Sequence, residues 1–91
     1  MADVEIYTKS GCPFCARAKD RLDRKGVSYH EIDVSEDSVR EFEMMRRSSR
    51  HTVPQIFING RHLGGNDDLV AAERDGQLDR LLSVPKKGKA A

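Results

Sequence analysis

The chain has 91 residues and only two cysteines, Cys12 and Cys15, with two residues between them. A sulfur pair at that spacing can hold a mixed disulfide on one thiol and resolve it with the other, which is thiol–disulfide exchange. The attacking species is the thiolate, so the exchange needs a position that favours the anion. A strand-like run, Val4-Glu5-Ile6-Tyr7, leads into the pair through the polar loop Lys9-Ser10-Gly11, and a helix-like run from Ala16 to Lys25 leads out. Both sulfurs therefore fall at a strand-to-helix turn, where the free N–H groups of a helix N-terminus stabilise an anion. Cys12 stands at the entrance of the turn and reads as the nucleophile. Cys15 lies inside the helix and reads as the more buried, resolving thiol. Lys9 adds positive charge nearby. Pro13 suits the first helical turn and stiffens the distance between the sulfurs. Two inert thiols are the bland alternative. A zinc site fits poorly, because a closed structural site takes four ligands and His30, His51 and His62 lack finger-like spacing.

Several elements must position this turn. The apolar run of Val4 to Tyr7 predicts an interior strand. The helix after it presents Ala18 and Leu22 as one face and ends in a left-handed cap at Gly26. Val27 to Val34 predicts a second strand, and a strand–helix–strand unit makes the two strands parallel. Ser35-Glu36-Asp37 can cap a second helix over Ser38 to Arg47, with Val39, Phe42 and Met45 as its core face. Ser48 to His51 reads as a polar loop. Gln55 to Ile58 is a third strand, Asn59-Gly60 a hairpin turn, and Arg61 to Leu63 the returning antiparallel strand. Gly64-Gly65 breaks that strand, and Asn66, Asp67 or Asp68 caps a third helix. Gly76 interrupts, and Leu78, Leu81 and Leu82 make a last short helix. The order is β-α-β-α-β-β-α, with one domain over 1–85 and a short basic tail, 86–91, expected to be disordered.

Composition narrows the class. A hydrophobic content of 37% suits one small core. Sixteen Lys and Arg against fifteen Asp and Glu leave a net charge of +1, so no global field draws the chain to nucleic acid or to an anionic membrane. No apolar run approaches the roughly 18 residues of a membrane span. Met1-Ala2-Asp3-Val4-Glu5 has neither the basic start nor the apolar stretch of a signal peptide. A cytoplasmic monomer is expected, with no nucleic-acid and no membrane partner. In a reducing compartment a cysteine pair points to catalysis or metal binding rather than to a staple.

Two further stretches bear on binding. Thr52-Val53-Pro54 precedes an apolar strand. A cis proline there would turn the chain and offer the Val53 backbone to an extended thiol substrate, as in strand addition. An ordinary loop proline is an equal reading. In Gly64-Gly65-Asn66-Asp67, two glycines admit a ligand to the backbone, and the following helix start offers N–H groups to a carboxylate. Asp67 or Asp68 can meanwhile accept from an amine, so the pair of features suits a zwitterionic α-amino acid end. A plain turn with an N-cap explains the same residues.

Taken together, the pieces Val4 to Lys9, Cys12-Pro13-Phe14-Cys15, Thr52 to Ile58 and Gly64 to Leu69 resemble a glutaredoxin of the small bacterial dithiol type, over about residues 3 to 82. The resemblance implies an α/β, thioredoxin-like fold: a four-stranded mixed sheet flanked by helices, the hairpin beside the first strand, and a cis bond before Pro54. It implies glutathione as reducing cosubstrate, and reduction of protein disulfides and protein–glutathione mixed disulfides, with a potential of about −200 to −230 mV. Carried onto this chain, Lys9 meets a glutathione carboxylate and Cys12 forms the mixed disulfide. Phe14 flanks a groove built with Thr52, Val53 and Pro54, and Val53 pairs with the cysteinyl backbone. Gly65, Asn66 and Asp67 hold the γ-glutamyl end. No metal is implied. Phe14 stands where the family usually has Tyr, and Glu41 where an Arg or Gln often helps bind the glycyl carboxylate, which leaves Arg40 or Arg47 as substitutes. The rivals are a thioredoxin-type reductase, which this tryptophan-free chain does not match in motif, an iron–sulfur carrier ligated by Cys12 and glutathione, which Pro13 disfavours, and a non-catalytic binding module.

Overall fold

Alternation along two strands sets the architecture. In β1 (Val4–Thr8) of the computed structural model, which describes residues 2–84, Val4 and Ile6 face one side of the sheet and Tyr7 the other. In β3 (Gln55–Ile58), Ile56 and Ile58 join Val4 and Ile6, while Phe57 joins Tyr7. Both strands are covered on both faces, which is why they read as nearly continuous apolar runs. β2 (His30–Asp33) pairs parallel to β1, and β3 pairs antiparallel to it. β4 (Arg61–Gly64) returns antiparallel to β3, giving the order β2-β1-β3-β4.

Helices cover the two faces. α1 (Pro13–Arg24), α3 (Asn66–Arg74) and α4 (Gln77–Ser83) bury Ala18, Leu22, Leu69, Ala72 and Leu78 against the Val4 and Ile6 side. α2 (Ser38–Ser48) buries Met44 on the opposite side with Tyr7, Ile32, Val34 and Phe57. The four-stranded mixed sheet, the parallel first pair and the hairpin beside β1 all agree with the expected fold. Among the described residues no helix is long and apolar enough to cross a membrane. The predicted basic tail, 86–91, lies outside the described residues.

Three local expectations are corrected. β2 begins at His30, not Val27: the Val27 N–H is taken by the Leu22 carbonyl at 3.2 Å, so the helix end claims the backbone that a longer strand would use. α2 does not bury Val39 and Phe42, which are 76% and 60% exposed, whereas Met44 and Ser48 are 0% and 6% exposed. The inward stripe runs through Glu41, Met44 and Ser48, and two of these three are polar, so the apolar spacing misleads. Ser48 tolerates burial because its hydroxyl donates to the Met44 carbonyl at 2.7 Å. At α3 the cap is Gly65, not an Asx residue. Asp68 sits in the first turn, and its carboxylate accepts the Gly65 N–H at 2.9 Å.

The hairpin turn Asn59-Gly60 has φ of 52° and 81°, the left-handed pair that a tight two-residue hairpin demands. Asn59 also gathers distant backbone: its Oδ1 accepts the Asp3 N–H at 2.8 Å and its Nδ2 donates to the Val84 carbonyl at 3.0 Å. Val4 pairs with Ile58 and Tyr7 with Gln55. The hairpin tip therefore marks one end of the sheet, and the loops bearing Cys12 and Pro54 meet at the other.

Candidate active site

The turn after β1 makes Cys12 the N-cap of α1, and its Sγ accepts the Cys15 backbone N–H at 3.2 Å. Pro13 is the first helical residue, where its missing N–H costs nothing. Cys12 is half-buried and its Sγ lies 3.9 Å from the Val53 carbonyl oxygen. Cys15 is 2% exposed. Burial above all, and then its contact with Cys12, pushes the Cys15 thiol up to about 12. Cys15 is therefore held protonated at neutral pH, while the helix N-terminus is aimed at the Cys12 sulfur.

A groove of about 210 Å³ opens beside Cys12. Thr52, Val53 and Pro54 form one wall, and the Val53–Pro54 bond is cis. Gly65, Asn66 and Asp67 form the facing wall at the start of α3, and half-exposed Phe14 flanks the opening with the Arg17 guanidinium 5.3 Å from its ring centre. Asn66 Oδ1 is buried with no hydrogen-bond partner. Seven of the residues expected from the sequence thus come together here. The approach of the walls depends on glycine. A Cβ on Gly65 would come within 3.2 Å of the Pro54 carbonyl oxygen. Gly64 has φ of +132°, and a Cβ on it would lie 2.2 Å from Asp68 Oδ2.

Two lining residues were not anticipated, Arg50 and Gln55; Asp68, weighed with Asp67 as an acceptor for an amine, lines the groove as well. The Arg50 guanidinium reaches Asp68 at 3.0 Å, and that pair stands on the groove rim. The Gly65 N–H and then Arg50 hold the Asp68 carboxyl below its usual range, against the effect of burial. Gln55 is buried and braces the proline loop: its Nε2 donates to the Thr52 carbonyl at 3.0 Å and contacts the Thr52 hydroxyl at 3.2 Å. Its Oε1 is then the acceptor toward His62 Nε2 at 2.7 Å, which assigns the proton to that ring nitrogen. A glutamine opening an apolar strand was the available signal.

Lys9 is not among the groove residues. It lines a second cleft of about 500 Å³ with Cys12 and Cys15, and its ammonium lies 2.8 Å from Glu41. The two proposed substitutes for a carboxylate-binding arginine are engaged elsewhere. Arg40 pairs with Glu43 at 2.7 Å. Arg47 is 3.0 Å from Glu5, donates to the Tyr7 hydroxyl at 2.8 Å and stacks 4.0 Å from the Phe57 ring centre. The cation on the groove is Arg50. Among the described residues no cluster of three or more His, Cys, Asp or Glu side chains is placed to hold a metal ion.

Comparison with known proteins gives a consistent result. The glutaredoxin family model matches residues 4–63. Glutaredoxin 3 of Escherichia coli is 54% identical over 82 residues, covering 90% of this chain and 99% of that protein. A glutaredoxin of Pseudomonas aeruginosa is 49% identical over 84 residues, covering 92% of this chain and all of that protein. Among solved structures, the buckwheat glutaredoxin–glutathione complex superposes with a TM-score of 0.83 at 28% identity, covering 90% of this chain and 77% of that one. The solution structure of glutaredoxin from Brucella melitensis gives 0.81 at 54% identity, covering 100% and 96%.

Proposed function

Because the chain belongs to the glutaredoxin family, and is a glutathione-dependent thiol–disulfide oxidoreductase with its cysteine pair at positions 12 and 15, we propose that Cys12 is the nucleophile, Cys15 the resolving thiol and the groove the seat of glutathione. One observation carries the assignment: the Cys12 sulfur caps α1 and accepts the Cys15 N–H, while Cys15 is buried. The Cys12 thiolate attacks the glutathione sulfur of a protein–glutathione mixed disulfide. The protein thiolate leaves and takes a proton from water, and glutathione stays bonded to Cys12. A second glutathione thiolate then releases oxidised glutathione and restores Cys12. With a protein disulfide, Cys15 attacks the Cys12 sulfur instead, and glutathione later reduces the Cys12–Cys15 disulfide.

Each groove residue has a role that its placement supports. The Val53 backbone faces an extended cysteinyl segment, as in strand addition. The unpartnered Asn66 Oδ1 and exposed Asp67 accept from the γ-glutamyl amine, and the first N–H groups of α3 receive its carboxylate. Arg50 meets a carboxylate at the rim. Lys9 reaches one only by leaving Glu41. Glutathione acts as cosubstrate, the clients are oxidised or glutathionylated proteins, and the enzyme works as a cytoplasmic monomer. The test is glutathione-coupled reduction of a small mixed disulfide by wild type, Cys12→Ser and Cys15→Ser. Activity should survive in wild type and Cys15→Ser and vanish in Cys12→Ser. Loss in Cys15→Ser as well would overturn the division of labour.

A further inference from the structure

Cys15 has a second problem besides burial: in its own step it must ionise after Cys12 has been consumed as a mixed disulfide. The second cleft, which both cysteines line, bears on that step. Its ionisable lining is Lys9, Cys12, Cys15, Lys19, Glu31 and Asp33. Lys19 lies four residues beyond Cys15 on α1, so its stem rises from the same helical face. The Lys19 ammonium is fixed at 3.0 Å from Glu31, whose carboxylate also accepts the Thr8 hydroxyl at 2.7 Å. β2 thus braces the lysine, and Lys19 and Cys15 line the same cleft. Lys9, the other cation of the cleft, is tied to Glu41 at 2.8 Å. Asp33 accepts from Ser35 and Ser10 on the neighbouring loops.

We propose that Lys19, held by Glu31 and Thr8, is a positioning residue for the resolving step, supplying the positive charge that favours the Cys15 thiolate as it attacks the Cys12 mixed disulfide. In the dithiol form the Cys12 sulfur opposes ionisation of Cys15. Once Cys12 is bonded to a substrate sulfur, its negative charge is gone, and the Lys9 backbone and then Lys19 are left to favour the Cys15 thiolate. The Cys15 proton passes to water. Its thiolate then attacks Cys12 Sγ, the Cys12–substrate S–S bond breaks, and the substrate sulfur leaves as a thiolate that water protonates. Cys15 is oxidised and the substrate sulfur reduced by the same electron pair. Cleavage by a second glutathione bypasses Cys15, so Lys19 matters to one of the two routes only.

This inference rests on Cys15 being the resolving thiol, and two measurements separate the claims. The first is the ultraviolet thiolate absorbance of Cys15 against pH in Cys12→Ser and in Cys12→Ser/Lys19→Met. Removing a partly solvated positive charge should reduce the thiolate fraction at a given pH by about threefold, with Lys19→Arg retaining it. The second is the ratio of protein-disulfide reduction to mixed-disulfide reduction, which should fall by about the same factor in Lys19→Met and recover as pH rises. Identical titrations in the two backgrounds, or an equal loss in both reactions, would overturn the role of Lys19. Loss of mixed-disulfide reduction in Cys15→Ser would instead overturn the reading of Cys15 itself.

Discussion

Gly64→Ala is the substitution whose consequence can be worked out most fully from the geometry. The new methyl would lie 2.2 Å from Asp68 Oδ2 and 2.6 Å from its Cβ, so the whole Asp68 side chain must move. Moving it forfeits the bond to the Gly65 N–H, worth about 1 kcal/mol as a helix-capping contact. The backbone at φ +132° adds strain of about 1–3 kcal/mol for any side-chain-bearing residue. The sum is about 2–4 kcal/mol, which for a domain of this size lowers the melting temperature by about 10–25 °C. Thermal and urea unfolding of Gly64→Ala, Asp68→Ala and the double variant test the division. Asp68→Ala alone loses the cap and an exposed ion pair, about 1 kcal/mol together. The double variant has no collision and no cap left to lose, so it should be about 1 kcal/mol more stable than the two single effects added. Full additivity, or a Gly64→Ala protein within about 0.5 kcal/mol of wild type, would refute the account.

Met44→Ala should cost about 2–5 kcal/mol in urea unfolding, because the side chain is fully buried, whereas exposed Phe42→Ala should cost less than about 1 kcal/mol. Burial above all, and then the contact with Cys12, lift the Cys15 thiol from its ordinary 9.0 to about 12. A raised pKa means that the folded state favours the neutral thiol, so its stabilisation is complete below about pH 9 and disappears as pH climbs toward 12. The unfolding midpoint of wild type should therefore fall more steeply across that range than the midpoint of Cys15→Ser. Arg50→Gln should raise the KM for a glutathione mixed disulfide by about three- to tenfold with little change in kcat, as loss of a ground-state carboxylate contact does; a fall in kcat at constant KM would place Arg50 elsewhere in the reaction.

What the sequence made legible follows from how locally each feature is determined. Pro13 and the cysteine spacing fix the strand-to-helix turn within a few residues, and Asn59-Gly60 fixes the hairpin, so both appear where expected. The two groove walls were also legible, since Thr52-Val53-Pro54 and Gly64 to Asp67 carry their backbone signals in their own residue types. The face of α2 was not. Its inward positions Glu41 and Ser48 are polar because one pairs with Lys9 and the other bonds its own helix, and neither partner is visible from apolar spacing. Arg50 and Gln55 escaped for a related reason. Their roles are made by contacts across the chain, from 50 to 68 and from 55 to 62, that only the closed hairpin brings about.

The Asn59 clasp has a practical side. It draws Asp3 and Val84 to the hairpin tip, at the end of the sheet opposite Cys12. A tether attached near either residue would leave the reactive sulfur pointing away from its support. An immobilised or fused form made in this way should keep its turnover. A peptide linker joining the neighbourhoods of Asp3 and Val84 has only the width of one asparagine to bridge, which makes this fold a natural candidate for circular permutation with new ends cut far from the groove.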